Sequence, residues 1–485
     1  EALRKAWGKE APSSFDKITA FRSSDIRRAT PMASDINRFL MELENSIFHF
    51  YKNFLREIGY PGPVSAMNLG KAFRHAASRK DFDFIAMNGY HAHPNGFSSS
   101  NGGSGVISQE SSIGNAGNLI RGFASMRRYR TPYMVTEHLH VFWNKYRYEQ
   151  AFVTGGYSAF QDFDGLTGFG SNITLNAYVT LSPFMLGNDP IAKTQEFLTA
   201  LLFLRRDVSP GRHLVRLALN SDEILRSNAA MEGISSAQGK VILTSRFAYS
   251  CDLRTPPGKD EIVIGRSGGA GIILDAWYNT LMESKNTLFN LDRFLQDLRK
   301  KGALPAGNLS SETRGIYETE TGELLMDTRR NFLRIRTPRL QGICAEAGAS
   351  AKLPDFEIRK MTTRGNLALA SIDGTRPIRE ARRLLLVVAT NVLNSGMKFE
   401  DPEQRFLLKL GSTPLLLETG QFELAFTNRH ADSLKAYALA MDGKRIAELP
   451  LHVRGSRVEL SLDTAAIPNG PALYFEFQTT GKAMP

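Results

Sequence analysis

The chain of 485 residues is longer than one ordinary hydrophobic core requires, so we expect two or three domains. Hydrophobic residues make up 42% and charged residues 22%, and no apolar run approaches the roughly 20 residues of a membrane-spanning helix. The net charge of +11, with a pI near 9.5, suits an anionic partner. Lys and Arg are scattered and lack interleaved aromatic residues, so nucleic acid is not expected as a partner, whereas an anionic polysaccharide remains open.

The two cysteines, Cys251 and Cys344, are far apart and do not have metal-ligand spacing. They could pair in an oxidising compartment, but buried thiols are the favoured interpretation. His91 and His93 have a spacing that metal sites use, yet no third ligand is evident, so neither a metal nor another cofactor is expected. The first residues, Glu1–Trp7, lack the apolar segment of a signal peptide.

The first part of the chain alternates between helix and strand patterns. Apolar residues at helical spacing predict a long helix over 34–58, with Ser34 or Asp35 as its N-cap. The next predicted elements, in chain order, are a strand at Pro63–Asn68, a short helix over 70–79 and a strand at Phe82–Asn88.

A polar loop rich in Gly, Ser and Asn follows over 94–105. The pattern then predicts a helix over 113–129, a strand that reaches Glu137, a helix over 146–160, a strand at Gly165–Phe169 and a helix over 189–204. Strands that alternate with helices are typical of a parallel sheet, either a (β/α)8 barrel or an open doubly wound sheet.

Glu137 ends a short apolar run with the composition of a buried strand. An unpaired carboxylate in a dry site is costly, whereas the C-terminal end of a barrel strand is where catalytic acids lie. A solvated glutamate in a loop is the alternative. Polar residues follow each predicted strand in turn, namely Asn68, Tyr90, His91 and His93, and then His138 and His140 beside Glu137. This distribution favours a barrel, because an open sheet usually binds ligands at one crevice.

The second part of the chain changes character. Residues 209–311 have a mixed α/β pattern, in which the glycine-rich run 265–271 lacks the Gly-Lys-Ser/Thr ending of a phosphate loop and is predicted to be a turn. From residue 312, short strands alternate with turn signals such as Asp373-Gly374, which is typical of an antiparallel β-sandwich. We therefore divide the chain into an α/β part (1–208), the mixed region (209–311) and a β-sandwich (312–485).

The order of these elements resembles the second half of a clan A retaining glycoside hydrolase, the β-galactosidase and mannanase type of (β/α)8 TIM barrel. Ala2–Gly8 resembles the start of the helix that follows strand four. The segments that resemble strands five to eight are Pro63–Asn68, Phe82–Tyr90, Tyr133–Glu137 and Gly165–Phe169. Residues 189–204 resemble the closing helix of the barrel, and 320–339 resemble the accessory β-domain of bacterial members. The resemblance implies that 1–208 is the C-terminal half of a barrel.

The resemblance also implies a function, which is hydrolysis of O-glycosidic bonds in an oligo- or polysaccharide by retaining double displacement. Strand seven carries the nucleophile in this clan, which corresponds to Glu137, and Tyr90 is expected to orient it. Contacts to the sugar are expected from Asn68, His91, His93, His138, His140 and Trp143. Core packing is the alternative for Trp143, and structural hydrogen bonding is the alternative for the histidines.

The chain departs from the clan at the acid/base residue, which lies in an Asn-Glu pair at the end of strand four. No such pair precedes Trp7, and Glu44-Asn45 is reversed and mid-helix. We therefore expect an upstream half to supply strands one to four and the acid/base. Export is usual for this type, so a secreted or periplasmic location is expected. The alternatives are a non-catalytic carbohydrate-binding or degenerate barrel protein without the acid/base, and a complete α/β binding protein with an appended sandwich.

Overall fold

The computed structural model describes residues 1–22, 24–27, 30–98, 102–170, 179–219, 224–225, 234, 236–251, 255–264, 272–273 and 290–480. These residues form two parallel sheets with helices in the first part of the chain and large antiparallel sheets in the second part. Within those ranges, no helix has both the length and the hydropathy that a bilayer crossing requires. The glycine-rich run 265–271 lies outside the described residues.

The helices match the predicted periodicity better at their centres than at their ends. The α-helices are α1 (Ala2–Trp7), α2 (Pro31–Glu57), α3 (Phe73–Ser78), α4 (Asn118–Ala124), α5 (Tyr157–Phe160), α6 (Pro190–Thr199), α7 (Ser236–Gly239) and α8 (Leu291–Lys300), and π-helical segments cover Ala151–Gly156 and Ala200–Leu204. Helix α2 begins earlier than predicted, because Thr30 is the N-cap and accepts the Ala33 N–H at 3.2 Å, with Pro31 in the first turn.

Helix α2 has an unusual distribution of apolar side chains. Its inner face buries Ala33, Asn37 and Phe48. An adjacent face leaves seven large apolar side chains in contact with solvent, which are Phe39, Leu43, Ile47, Phe50, Tyr51, Phe54 and Ile58. Phe50 is the most exposed of them at 69%. If each of the seven exposes about half of its surface, the face covers roughly 600 Å², at the upper end of what a typical monomer exposes in one patch.

Nine strands lie in the described residues before residue 274, and all except the second and third belong to parallel sheets, the arrangement predicted for the strands before residue 209. They are β1 (Ile85–His91), β2 (Asn95–Ser98), β3 (Ser104–Val106), β4 (Tyr133–His140), β5 (Gly165–Gly168), β6 (Leu214–Ala218), β7 (Arg246–Ser250), β8 (Glu261–Ile264) and β9 (Ile272–Ile273). Strands β1, β4 and β5 make a parallel sheet with β4 at its centre. A second parallel sheet has the order β7-β6-β8-β9. Three parallel strands do not by themselves establish half of a barrel.

The strand predicted at Pro63–Asn68 is not part of a regular ladder. The segment runs beside β1 and makes two backbone hydrogen bonds to that region, from Asp83 N–H to Val64 O at 3.1 Å and from Asn88 N–H to Asn68 O at 2.8 Å. Met67 has a φ of 58°, which interrupts the extended conformation that a strand requires. The prediction of a strand here was therefore wrong in conformation, although the segment lies where a neighbouring strand would lie.

The strands of the second part are antiparallel, as predicted. They are β10 (Ile316–Glu318), β11 (Leu324–Asp327), β12 (Phe332–Arg336), β13 (Leu340–Ala345), β14 (Ala351–Lys352), β15 (Phe356–Met361), β16 (Gly365–Ser371), β17 (Arg383–Ala389), β18 (Val392–Ser395), β19 (Lys398–Phe399), β20 (Phe406–Lys409), β21 (Ser412–Leu417), β22 (Gln421–Thr427), β23 (Leu434–Leu439), β24 (Arg445–Leu449), β25 (His452–Arg454), β26 (Arg457–Asp463) and β27 (Tyr474–Thr479). One sheet has nine strands, in the order β10-β11-β12-β13-β16-β17-β27-β23-β24, and another has five, β14-β15-β22-β26-β25.

The nine-stranded sheet buries both of its faces. Leu367 and Leu369 of β16 pack in a core that also contains Phe422 of the five-stranded sheet. Ala368 and Ala370, which alternate with them, belong to the core of the α/β part. Because successive residues of a strand point to opposite faces, this alternation places the nine-stranded sheet between the five-stranded sheet and the α/β part.

The segment 94–105 was predicted to be a loop, and this prediction was wrong for residues 95–98 and 104–105, which are in strands, while residues 99–101 lie outside the described residues. Strands β2 and β3 pair with each other, and β3 pairs in turn with β20, so that Val106 lies opposite Phe406. The pairing gives hydrogen-bond partners to a backbone whose side chains are small and polar. Pairing with a strand so distant in sequence leaves no local signal, which is why the composition suggested a loop.

A buried arginine joins the α/β part to the antiparallel part. Arg147 donates from Nε to Asp189 Oδ2 at 2.7 Å, from Nη1 to Asn391 Oδ1 at 2.5 Å and from Nη2 to the Val392 carbonyl at 2.6 Å. Asp189 is the N-cap of α6 and also accepts the Ile191 N–H at 2.9 Å. Both charged side chains are almost completely buried. This network fixes the start of β18 against the start of α6.

We expect Arg147→Met to lower the free energy of unfolding by about 3–5 kcal/mol, because the substitution leaves the buried Asp189 carboxylate without its counter-charge. Urea unfolding followed by circular dichroism measures this change. Arg376→Met is the matched control, since Arg376 forms an exposed ion pair with Asp373 and its loss should cost less than about 1 kcal/mol. Equal costs for the two variants would show that Arg147 does not support the junction.

Candidate active site

Glu137 follows an irregularity in the pairing of β1 with β4. Met87 lies opposite Val135 and Asn88 lies opposite Glu137, so Thr136 is an extra residue in β4. Its hydroxyl donates to Asn88 Oδ1 at 2.6 Å, which holds the bulge closed. A bulge changes the direction in which the following side chain points, and bulges are common next to active sites. No sequence pattern indicated this bulge or identified Asn88 as the residue opposite Glu137.

Glu137 is paired with a tyrosine from the neighbouring strand. Tyr90 lies near the end of β1, and its hydroxyl donates a short hydrogen bond to Glu137 Oε2. Burial, followed by this hydrogen bond, raises the pKa of Tyr90, so the phenol stays protonated and remains a donor. Both side chains are half-buried. The pair is thus a carboxylate, accessible from solvent and held by a neutral donor, at the C-terminal half of a parallel sheet.

Aromatic rings surround Tyr90. The ring of Phe169, which follows β5, has its centroid 5.5 Å from that of Tyr90, and the ring of Phe184 lies at 5.1 Å. His93 contacts both Tyr90, at 5.7 Å, and Phe184, at 5.2 Å. Phe169 is 38% exposed and His93 is exposed, so the cluster has a solvent-facing side. Phe184 was missed by the sequence analysis, because no periodic pattern covers the segment before α6.

The structure brings some of the predicted sugar-binding residues to this region and places others in the interior. Asn68 is half-buried in the segment beside β1, and its carbonyl accepts the Asn88 N–H. His91 is buried, and its Nε2 lies 2.9 Å from the Glu110 carbonyl. Asn68 and His93 are therefore accessible near the Tyr90–Glu137 pair, whereas His91 contacts the protein.

Three further predicted contacts are fully buried. His138 and His140 are 1% and 2% exposed, and the backbone N–H of His140 donates to Gln150 Oε1 at 2.7 Å. Trp143 has no exposed surface, and its Nε1 donates to the Gln404 carbonyl at 3.0 Å. Direct contact between these side chains and a sugar would require the interior to open. Trp143 fits the core-packing alternative that was stated for it, whereas the Nδ1 atoms of His138 and His140 are buried without a hydrogen-bond partner among the described residues.

Burial also determines the protonation of these histidines. It lowers the pKa of His138 to about 4. Burial, and then the proximity of His91 and His138, lowers the pKa of His140 well below its ordinary value. The ring centroids of His91 and His140 are 4.7 Å apart. The buried histidines are therefore neutral at neutral pH. Separately, the described residues contain no group of three or more metal-ligating side chains.

A buried carboxyl group, Glu149, and a half-buried one, Glu196, were not singled out in the sequence. Glu149 accepts hydrogen bonds from the Ser111 hydroxyl at 2.8 Å and from the Ile113 N–H at 3.1 Å, and burial raises its pKa to about 8. Glu196 of α6 accepts from Gln150 Nε2 at 2.7 Å, and burial raises its pKa to about 7. Both residues fall within helical patterns, where a sequence does not distinguish a buried acid from a solvated one.

Comparisons with known proteins give limited guidance. No protein family and no curated protein matches the chain. Among solved structures, a β-galactosidase from Bacillus circulans sp. alkalophilus aligns at 11% identity over 99% of this chain and 74% of that chain, with a TM-score of 0.32. A rhamnosidase from Novosphingobium sp. PP1Y aligns at 9% identity over 84% of this chain and 36% of that chain, with a TM-score of 0.23. Both neighbours are glycosidases, but TM-scores this low do not establish a shared fold.

We expect acid to destabilise the protein through His138. Its folded pKa of about 4 lies below the ordinary value of 6.5, so the unfolded state takes up the proton first. Above pH 6.5, His138 is neutral in both the folded and the unfolded state, so its titration does not change the free energy of unfolding. That free energy falls as the pH drops from 6.5 towards 4, by about 3 kcal/mol in total. Urea unfolding across this range, with His138→Gln as the comparison, isolates the effect because other groups titrate equally in both proteins. Parallel curves for the two proteins would contradict the assignment.

Proposed function

We propose that the protein is a retaining glycoside hydrolase in which Glu137 is the nucleophile. The observation that carries the proposal is the hydrogen bond from Tyr90 to Glu137 between neighbouring parallel strands. A nucleophilic carboxylate must stay ionised, and a neutral donor bound to one of its oxygens favours the charged form. The other carboxylate oxygen is then the one that attacks.

The proposed reaction has two steps. Glu137 attacks the anomeric carbon, and the bond from that carbon to the leaving oxygen breaks as a carboxylic acid protonates the oxygen. The conjugate base of this acid then removes a proton from water, which displaces Glu137 and restores the original anomeric configuration. The acid/base should lie roughly 5–5.5 Å from Glu137. Following the resemblance, the proposal assigns the acid/base to an upstream half of the barrel.

The accessible residues near Glu137 suit a sugar substrate. Phe169 offers an aromatic surface on which a sugar ring can stack, and Asn68 and His93 offer polar groups for hydroxyls. Within this proposal, the buried His91, His138, His140 and Trp143 support the walls of the site from behind. The net charge of +11 is compatible with an anionic polysaccharide, such as a sulfated or uronic acid polymer.

The proposal includes completion of the barrel by an upstream half. The exposed apolar face of α2 is a surface on which further strands and helices of a barrel would pack. Export of the whole enzyme to the periplasm or the medium belongs to the same proposal. The competing function is a non-catalytic carbohydrate-binding or degenerate barrel protein without the acid/base.

We expect 2-fluoroglycosides to label Glu137 covalently, because the fluorine slows both steps while a good leaving group keeps the first step fast enough for the glycosyl-enzyme to accumulate. A panel of 2-fluoroglycosides with good leaving groups, followed by peptide mass mapping, should be applied to this chain and to a version extended upstream. Glu137→Gln should lower turnover of aryl glycosides by a factor on the order of 10⁴. Glu137→Gly should regain activity with azide and yield a glycosyl azide of inverted configuration.

The matched control for this experiment is Glu110→Gln, since Glu110 is an exposed glutamate in a nearby loop whose carboxylate pairs with Asn115 at 3.0 Å. This variant should keep full activity. A folded, extended protein that takes no label from any sugar would refute the nucleophile assignment. Binding of oligosaccharides by that unlabelled protein would support the carbohydrate-binding alternative.

Removal of the Tyr90 hydroxyl should weaken catalysis without abolishing it. We expect Tyr90→Phe to lower kcat roughly 10- to 100-fold, because a hydrogen bond to a charged group is worth about 1.5–3 kcal/mol. Pre-steady-state measurement of the glycosylation rate tests this effect. An unchanged glycosylation rate would mean that Tyr90 does not act on Glu137.

A further inference from the structure

Phe184 is the central member of the aromatic cluster beside the candidate nucleophile. Its ring meets Tyr90 edge to face at an interplanar angle of 79°, and it meets Phe169 at 79° with 5.7 Å between centroids. Tyr90 and Phe169 also meet edge to face, at 74°. The three rings therefore touch one another in a closed set, and His93 packs against two of them. Edge-to-face contacts are directional, so each ring limits the rotation of the others.

The backbone of Phe184 is held in a conformation that phenylalanine rarely adopts. Its φ is 63°, in the left-handed region where a bulky side chain is strained. Gly170 packs directly against it, since a Cβ on Gly170 would lie 2.4 Å from the Phe184 carbonyl oxygen. Gly170 itself has a φ of 137°, which side chains rarely allow. The backbones of Gly170 and Phe184 are thus in close contact.

The segment that carries Phe184 is anchored on both sides to the antiparallel part of the protein. Before Phe184, the Leu181 N–H donates to Asn394 Oδ1 at 2.8 Å, and Asn394 Nδ2 donates back to the Leu181 carbonyl at 2.8 Å. After Phe184, Asp189 is bound by Arg147, which also binds the Val392 carbonyl. Asn394 and Val392 both belong to β18. Strand β18 therefore holds the strained segment in place.

We propose that Phe184 is a positioning residue, whose edge-on contact keeps the Tyr90 ring turned so that its hydroxyl stays on Glu137. The inference rests on the proposed function and adds to it the origin of the Tyr90 orientation. Strain at a residue persists where the surrounding structure requires it. Here the strained backbone directs the Phe184 ring towards Tyr90, and β18 supplies the anchors. The antiparallel part would thereby contribute to the geometry of a site that lies on the parallel sheet.

The test is a double-mutant cycle between Phe184 and Tyr90. Phe184→Ala should lower kcat about tenfold with little change in KM, as expected when a catalytic hydroxyl is misplaced but substrate binding is kept. In the Tyr90→Phe background, Phe184→Ala should cause no further loss, because the hydroxyl that it positions is absent. Phe184→Tyr keeps the ring and should retain activity. Additive losses in the cycle would overturn the proposal.

Two further variants and one structural measurement make the outcome decisive. Phe184→Leu keeps most of the volume without a ring, and it replaces Phe184→Ala if the latter does not fold. Gly170→Ala should lower kcat as Phe184→Ala does, because the added Cβ displaces the Phe184 backbone. A crystal structure of the leucine or alanine variant should show Tyr90 turned away from Glu137, and an unmoved Tyr90 would overturn the inference. Absence of fluoroglycoside labelling at Glu137 in the wild type would instead refute the proposed function.

Discussion

The buried guanidinium of Arg147 is the interaction on which the arrangement of the site depends. Removing a permanent positive charge from water is costly, and the cost is offset here because Asp189, Asn391 and the Val392 carbonyl all accept hydrogen bonds from it. These acceptors lie on two segments, the start of α6 and the start of β18, and both must be in position for all the hydrogen bonds to form. The arginine therefore couples the start of α6 to β18, and neither can shift without leaving a buried charge unpaired. Directional bonds to a planar group impose a relative orientation that apolar packing alone would leave loose.

The bulge at Thr136 changes the direction in which the Glu137 side chain points. Regular alternation along β4 would send Val135 and Glu137 to the same face of the sheet, and the extra residue breaks that relation immediately before the carboxylate. The same strand then buries His138 and His140 as neutral side chains. One short strand thus presents a half-exposed acid and, just after it, a dry interior. The contrast keeps water away from the back of the site while leaving the front open to a ligand.

Much of this arrangement was predictable where a residue's role is set by its neighbours in sequence. Helix α2, the parallel strands β1, β4 and β5, and the antiparallel strands after residue 312 all have clear periodicity, and the ends of β1 and β4 pointed to Tyr90 and Glu137. The rest depended on contacts far apart in the chain. Strands β2 and β3 exist because β20 pairs with β3, and Met67 departs from a strand conformation within an otherwise extended segment. Phe184 contacts Tyr90 from a backbone conformation that no local sequence pattern predicts.

The apolar face of α2 has a practical meaning for work with the isolated polypeptide. Three phenylalanines, a tyrosine and three aliphatic side chains along one helix offer water a surface of the size that protein interfaces use. At high concentration such a face can bind another copy of the chain, a chaperone or a hydrophobic dye. Sample homogeneity therefore becomes a function of dilution and ionic strength, since salt strengthens apolar association while it screens the mutual repulsion of chains with a net charge of +11.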